Sequence, residues 1–143
     1  MTIATILRGK GSHVISVLPG DRAREVARTL TRHRIGAVLV RDPDGRVLGI
    51  VSERDIVRAF ATAGELPVDL PAEEMMTRSL ATVTPGTKIT EALALMTDRR
   101  VRHLPVLEDG VLCGMVSIGD LVKARIDAAV AEAEALKEYV ATA

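Results

Sequence analysis

Aromatic residues are almost missing from this chain: Phe60 and Tyr139 stand alone and there is no tryptophan. Platforms that stack single-stranded bases need several such rings, so that class of nucleic-acid binding is not expected. Cysteine is equally scarce. Cys113 is the only one, which excludes an intrachain disulfide and points to a reducing, cytoplasmic setting. It lies in the apolar run VLCGMV, where a buried small hydrophobe is the expected role. No apolar run approaches the roughly eighteen residues of a membrane span, and the opening MTIATILRGKGSHV lacks a signal-like apolar stretch, so neither membrane nor secretory leader is expected. An excess of one charge is missing too. The 19 Lys+Arg balance 19 Asp+Glu, which removes bulk attraction to DNA, RNA or anionic lipid.

What remains is an aliphatic chain of 143 residues, 48% hydrophobic, enough for a real core and near the size of one domain. Its charge is unevenly placed. Residues 1–62 carry 11 basic against 6 acidic side chains and residues 63–143 carry 8 against 13, so the halves are +5 and −5.

The chain also repeats itself. Shifted by 66 positions, Val17, Pro19, Gly20, Glu25 and Val40 fall on Val83, Pro85, Gly86, Glu91 and Val106; shifted by 65, Gly45, Gly49, Val51, Ser52 and Asp55 fall on Gly110, Gly114, Val116, Ser117 and Asp120. Two copies of roughly sixty residues are too few for a solenoid, so they are expected to form one pseudo-symmetric module. In each copy a turn (LPGD, TPGT) precedes a helix whose apolar positions, Ala23, Val26, Ala27 and Leu30 or Ile89, Ala92, Leu93 and Met96, follow one-face spacing. Val-rich strands follow at 37–42 and 46–52, and at 103–108 and 111–117, joined by DPDG and EDG turns. A second helix closes each copy, the first ending near Gly64. The order is β-α-β-β-α twice, an α/β (α+β) class, with repeat 1 at 1–64, a linker at 65–73 containing Pro67 and Pro71, repeat 2 at 74–126, and a helical extension at 127–143.

The shared phrase is Gly-x-Val-Ser-x-x-Asp, set where a strand ends and a helix begins. Two readings fit it. Ser at the N-cap and Asp at the third helical position make a capping box, satisfying orphan N–H groups and complementing the helix dipole. The same geometry suits a nucleotide: the helix N-terminus and a Ser hydroxyl for a phosphate, and a carboxylate one turn on for the two hydroxyls of a ribose. Gly49 and Gly114 would let a backbone or a ligand approach closely.

The tandem units, VRHLPV at 101–106, EMMT at 74–77 and both Gly-x-Val-Ser-x-x-Asp motifs resemble a pair of cystathionine β-synthase (CBS) domains, a Bateman module, over residues 1–126. The resemblance implies two repeats packed by their sheets into a pseudo-twofold module with two clefts. It implies adenosine ligands (AMP, ADP, ATP, NAD or S-adenosylmethionine), with Asp55 and Asp120 on ribose, and Ser52 and Ser117 near phosphate. Ile35, Gly36 and Ala37, and Val101, Arg102 and His103, would face base or phosphates, and first strands near Val14 to Ser16 and Leu80 to Thr82 would close the clefts. The chain is similar to stand-alone bacterial members, so regulation would act on a separate effector protein. Arg54 in the first motif and Arg102 with His103 in the second are the candidate phosphate cations; Gly119 leaves room in the second, making the Asp120 cleft the better AMP-like site.

Other signals weigh less. His13, His33 and His103 lack metal-ligand spacing, so no metal is expected. The arginines at 22, 24, 28 and 32 read as a solvated helix face. No nucleophile, base and orienting group occur together and no phosphate loop is present, so no enzymatic activity is expected. Helical faces with Ala23, Ala27 and Ala92 predict a homodimer, in which either equivalent or opposite repeats meet, the charge split leaning towards opposite ones. In the C-terminal extension Ile126, Val130, Ala133, Leu136 or Lys137, and Val140 share one helix face, which reads equally as a solvated extension or as a surface for self-association or a partner.

Overall fold

The computed structural model describes residues 1–63 and 67–142, so the helix end expected near Gly64 and the linker residues Glu65 and Leu66 lie outside the described residues. Helix α1 (Ile3–Lys10) opens the chain. There follow β1 (Ser16–Val17), α2 (Ala23–His33), β2 (Ala37–Arg41), β3 (Val47–Ser52), α3 (Glu53–Thr62) and a short α4 (Ala72–Met75). The second copy runs α5 (Ile89–Arg99), β4 (His103–Glu108), β5 (Val111–Ser117) and α6 (Ile118–Thr142). One compact unit is His13–Leu80; the other joins Met1–Ser12 to the chain from Ala81 onward.

In the first unit the strands lie in the order β1-β2-β3, β1 parallel to β2 and β2 antiparallel to β3. In the second, β4 and β5 form an antiparallel pair. The strand expected near Leu80 to Thr82 is reduced to a single parallel bridge, Val83 to Val106, held by Val83 N–H to Pro105 O (3.1 Å) and Leu107 N–H to Val83 O (2.9 Å). Leu80 is grouped with the first unit and Thr82 with the second. Both hairpins shift register at the same place, leaving Leu48 and Cys113 as the extra residues of a bulge. Cys113 is consequently half-buried rather than buried, with its thiol on Val111 O (3.5 Å).

Each unit has its own aliphatic core, and helix periodicity selects its members. Ala23, Val26 and Leu30 of α2 are buried with Val38, Val40 and Val51; Ile89, Ala92 and Met96 of α5 are buried with Leu104, Val106 and Val116. Ala23 and Ala92 thus belong to the cores and offer no outer face. Exposed apolar side chains on the helices are found instead at Val57 and Phe60 on α3, and at Ile118, Val122, Ile126, Val130, Leu136, Tyr139 and Val140 on α6. Helices α2 and α5 stop alike. Arg34 (φ 53°) and Arg100 (φ 54°) adopt the left-handed conformation, and the N–H groups of Ile35 and Val101 reach back to Leu30 O and Met96 O.

The units exchange covering segments relative to the sequence repeats. Helix α1 precedes the first copy in sequence but packs on the second, with Ile3 fully buried and Ile3 N–H on Thr87 O at 2.9 Å. Helix α4 and Thr77 return onto the first unit, where Thr77 and Ile50 exchange two backbone hydrogen bonds (3.0 and 2.8 Å). The glycines of the repeated phrase lie beneath these segments. A Cβ on Gly49 would stand 2.7 Å from Thr77 O, and one on Gly114 would stand 2.8 Å from Leu7 Cδ2, so a protein segment takes up the close approach in both units.

Candidate functional site

Each repeated phrase forms its helix start by the same local logic. The strand delivers Ser52 or Ser117 in extended backbone, and the Asp three residues on turns back to the Ser. Asp55 N–H donates to Ser52 Oγ (3.3 Å) while Ser52 N–H donates to Asp55 Oδ2 (2.7 Å), a complete capping box. In the second unit Asp120 N–H donates to Ser117 Oγ (3.2 Å) and Ser117 N–H to Asp120 Oδ2 (2.8 Å). The preceding strand is tied to the same point. Glu53 N–H donates to Gly36 O (3.0 Å) and Ile118 N–H to Arg102 O (2.8 Å).

These bonds bring Ile35, Gly36 and Ala37 beside Ser52, Arg54 and Asp55, and Val101, Arg102 and His103 beside Ser117 and Asp120, with Ala37 registered on Ser52 and His103 on Ser117. Val14 and Ser16 stand apart. They border β2 on the side opposite Ser52, Ser16 facing Leu39 in parallel register. Thr82 is exposed in the extended segment leading to the Val83 bridge. Gly119 is not required by crowding, since a side chain there would meet only Ser117 Oγ at 3.6 Å.

The two carboxylates differ in what is left of them. Asp55 is 5% exposed. Its Oδ2 accepts from Ser52 N–H and Ser52 Oγ–H (2.9 Å), and its Oδ1 accepts from Thr77 Oγ–H (3.0 Å) and Arg58 (3.2 Å). Four donors fill the lone-pair positions a carboxylate offers. Asp120 is partly open, its side chain 26% exposed. Oδ2 accepts from Ser117 N–H and from Lys10 Nζ at 2.7 Å, while Oδ1 receives no hydrogen bond among the described residues. Lys10 is held in place by a second bond to Met115 O (3.0 Å). Partial burial by itself would raise the Asp120 pKa. The hydrogen bonds from Lys10 and Ser117 together with the Lys10 charge outweigh it and hold the carboxyl below the ordinary range.

Lys10, Thr77 and Arg58 are hydrogen-bond partners of the two carboxylates that the motif alone does not reveal. Arg58 lies one turn after Asp55, a spacing visible in the sequence. Thr77 closes the EMMT stretch. For Lys10 the only signal is Ile3, Ile6 and Leu7 at helical spacing, which gives a helix but not its docking place. Among the described residues no group of three or more His, Cys, Asp or Glu side chains could hold a metal ion, and no helix is long and apolar enough to cross a membrane.

Two α/β units, each pairing a strand hairpin with a helix capped by Ser and Asp, define a tandem α/β pair. The family model for the CBS domain matches residues 11–62 and again 72–127, and the chain belongs to the CBS-domain family as a tandem pair, the arrangement of a Bateman module. Among similar proteins, the mitochondrial CBS domain-containing protein CBSX3 of Arabidopsis thaliana is 34% identical over 147 residues, spanning 97% of this chain and 71% of that protein. The crystal structure of the CBS-domain containing protein ATU1752 from Agrobacterium tumefaciens has a TM-score of 0.84 at 41% identity, covering 87% of this chain and 92% of that one. The CBS domain pair of MJ0100, solved in complex with 5′-methylthioadenosine and S-adenosyl-L-methionine, shares the fold with a TM-score of 0.76 at 23% identity, covering 87% and 94%.

Proposed function

We propose that this CBS pair is a non-catalytic regulator that binds an adenosine ligand at the start of α6 in its second unit and signals the ligand state to a separate effector protein. The observation that carries this reading is the unengaged Oδ1 of Asp120, part-exposed at a helix start and next to an exposed Arg102. A ribose hydroxyl is the donor such an oxygen suits. The helix N-terminus, Ser117 and Arg102 then attract a phosphate, and His103 borders the same strand start. The ligand-bound MJ0100 pair supports the adenosine class. Within that class (AMP, ADP, ATP, NAD, S-adenosylmethionine) the cations Lys10 and Arg102 favour an anionic ligand of the AMP type over a sulfonium. For the first unit the filled acceptor positions of Asp55 favour the other reading: there the phrase caps α3, Ser52 and Asp55 hold structure, and Arg54 and Ile35 to Ala37 lie beside a closed carboxylate.

Calorimetric titration of the full chain with AMP and with adenosine tests this. AMP should bind at one site per chain and more tightly than adenosine; Asp120→Ala should weaken it about thirtyfold or more, and Arg102→Ala should weaken AMP more than adenosine. Equal affinity for AMP and adenosine would remove the phosphate role. Wild-type affinity in Asp120→Ala would remove the site, and a chain that binds none of these nucleotides would be a ligand-free interaction module.

A further inference from the structure

The Lys10 ammonium has no part in capping α6, yet it occupies an atom that a ribose needs. Each oxygen of a carboxylate offers two acceptor positions. On Asp120 Oδ2 both are taken, one by Ser117 N–H (2.8 Å) and one by Lys10 Nζ (2.7 Å), whereas among the described residues Oδ1 accepts from no donor. The two neighbouring hydroxyls of a ribose suit the two oxygens of a carboxylate, one each. Oδ1 can receive the first hydroxyl; the second reaches Oδ2 only where Lys10 stands.

The contact is built to be displaced. The Lys10 side chain is 42% exposed and that of Asp120 26%, so solvent screens the pair and its hold is modest. In the first unit, by contrast, Thr77 is pinned by two backbone bonds to Ile50 and cannot leave Asp55 on its own. The helix that carries Lys10 is firm at one end only. Ile3 is fully buried, Ile3 N–H and Ala4 N–H donate to Thr87 O and Pro85 O (both 2.9 Å), and Ile6 and Leu7 pack against the second core. Past Leu7 the chain lies open: residues 8–13 are exposed, and a Cβ added at Gly9 or Gly11 would meet nothing within 4 Å. Through its bonds to Met115 O and Asp120, Lys10 ties this open last turn of α1 to β5 and to the start of α6.

We propose that Lys10 is a displaceable latch on the ligand site, an inference that rests on reading Asp120 as the ribose acceptor. A ribose hydroxyl replaces the ammonium on Oδ2, and the freed ammonium passes to the phosphate of the ligand where there is one. Adenosine has no phosphate, so its binding breaks the ion pair without return. AMP replaces it by a charge-assisted bond of the same kind. Lys10 therefore discriminates nucleotide from nucleoside, and its displacement lifts the last turn of α1 off β5 while Ile3 to Leu7 stay docked. The ligand state is thereby written on the exposed outside of the unit.

Calorimetric titration and amide hydrogen exchange of the full chain, as wild type, Lys10→Met and Asp120→Ala, test this with adenosine and AMP as probes. Lys10→Met keeps the stem and removes the charge. It should bind adenosine about fivefold more tightly than the wild type does while AMP affinity stays nearly unchanged, so that the preference for AMP falls by the same factor. The Gly11 N–H, bonded to Leu7 O at 2.7 Å, reports on the last turn of α1. It should exchange several-fold faster in unliganded Lys10→Met than in the wild type, and saturating adenosine should speed it in the wild type but no further in the variant. Adenosine that binds Lys10→Met no more tightly than the wild type, or a wild-type Gly11 N–H unmoved by saturating adenosine, would overturn the latch; if Asp120→Ala still loses AMP in that case, the ribose site stands without it. A wild type and a Lys10→Met chain that both bind neither probe would overturn the site, and the latch with it.

Discussion

In the first unit Asp55 is buried with both oxygens occupied, whereas in the second Asp120 keeps a quarter of its side chain in solvent and, among the described residues, one oxygen without a donor. The helix starts around them are built from the same Ser and Asp with nearly the same hydrogen bonds. The difference comes from what lies across each start. Over the first unit the segment after α4 joins β3 through backbone hydrogen bonds at Ile50, which fixes Thr77 Oγ on the carboxylate. Over the second, α1 lies with Leu7 against Gly114 and delivers only a lysine tip. A duplicated motif therefore need not give two equivalent sites, because a segment from elsewhere in the chain decides whether its carboxylate stays available.

The sharpest way to break this comparison is to remove the two carboxylates separately. Asp55→Ala leaves Ser52 N–H, Thr77 Oγ and Arg58 without their common acceptor and should cost about 3 kcal/mol of stability, measured by urea unfolding, while AMP affinity stays at the wild-type value. Asp120→Ala should show the reverse balance, about 1 kcal/mol in stability and about 2 kcal/mol in AMP binding. If both variants lose stability and neither loses affinity, the two units are alike and both phrases are caps.

The glycines give a smaller contrast. Gly49→Ala drives a methyl into a backbone carbonyl that is locked in a bridge and should destabilise by about 2–3 kcal/mol, whereas Gly114→Ala meets only the movable end of Leu7 and should cost about 1 kcal/mol. Equal costs in thermal melts would mean that α1 is held as rigidly as the Thr77 segment.

Acid sharpens the role of Lys10. A carboxyl whose pKa is lower in the fold than in the unfolded chain adds stability above its unfolded value, and that stability is lost as the pH falls through the folded value. For Asp120 the loss begins below about pH 4. Lys10→Met should therefore lower stability at pH 7 by up to about 1 kcal/mol and have progressively less effect in urea melts as the pH drops below that point. An effect that persists undiminished at pH 2 would place the contribution of Lys10 in its packing rather than in the ion pair. The smallest effect concerns a feature the units share. Replacing Arg34, held at φ 53°, by glycine should stabilise the first unit by about 0.5 kcal/mol, the relief of the left-handed conformation outweighing the added freedom of the unfolded chain.

By itself the sequence determined the elements and their order. Aliphatic spacing in α2 and α5, the two-residue Asp109–Gly110 turn and the Ser-x-x-Asp caps all depend on contacts within a few residues, and such contacts are written in local pattern. The duplication likewise announced two equivalent units and the place where strand and helix meet. Only the tertiary structure decided which covering segment belongs to which unit. The first twelve residues read as part of the first copy yet pack on the second, and the segment from α4 to Leu80 turns back onto the first. No periodicity encodes that choice, because Ile3, Ile6 and Leu7 make an apolar helix face that either core could bury. The state of each carboxylate follows from it: Lys10 is 110 residues from Asp120 and Thr77 is 22 from Asp55. Hydrogen bonds over such separations arise when cores assemble, which is why two identical phrases end in one filled acceptor and one open one.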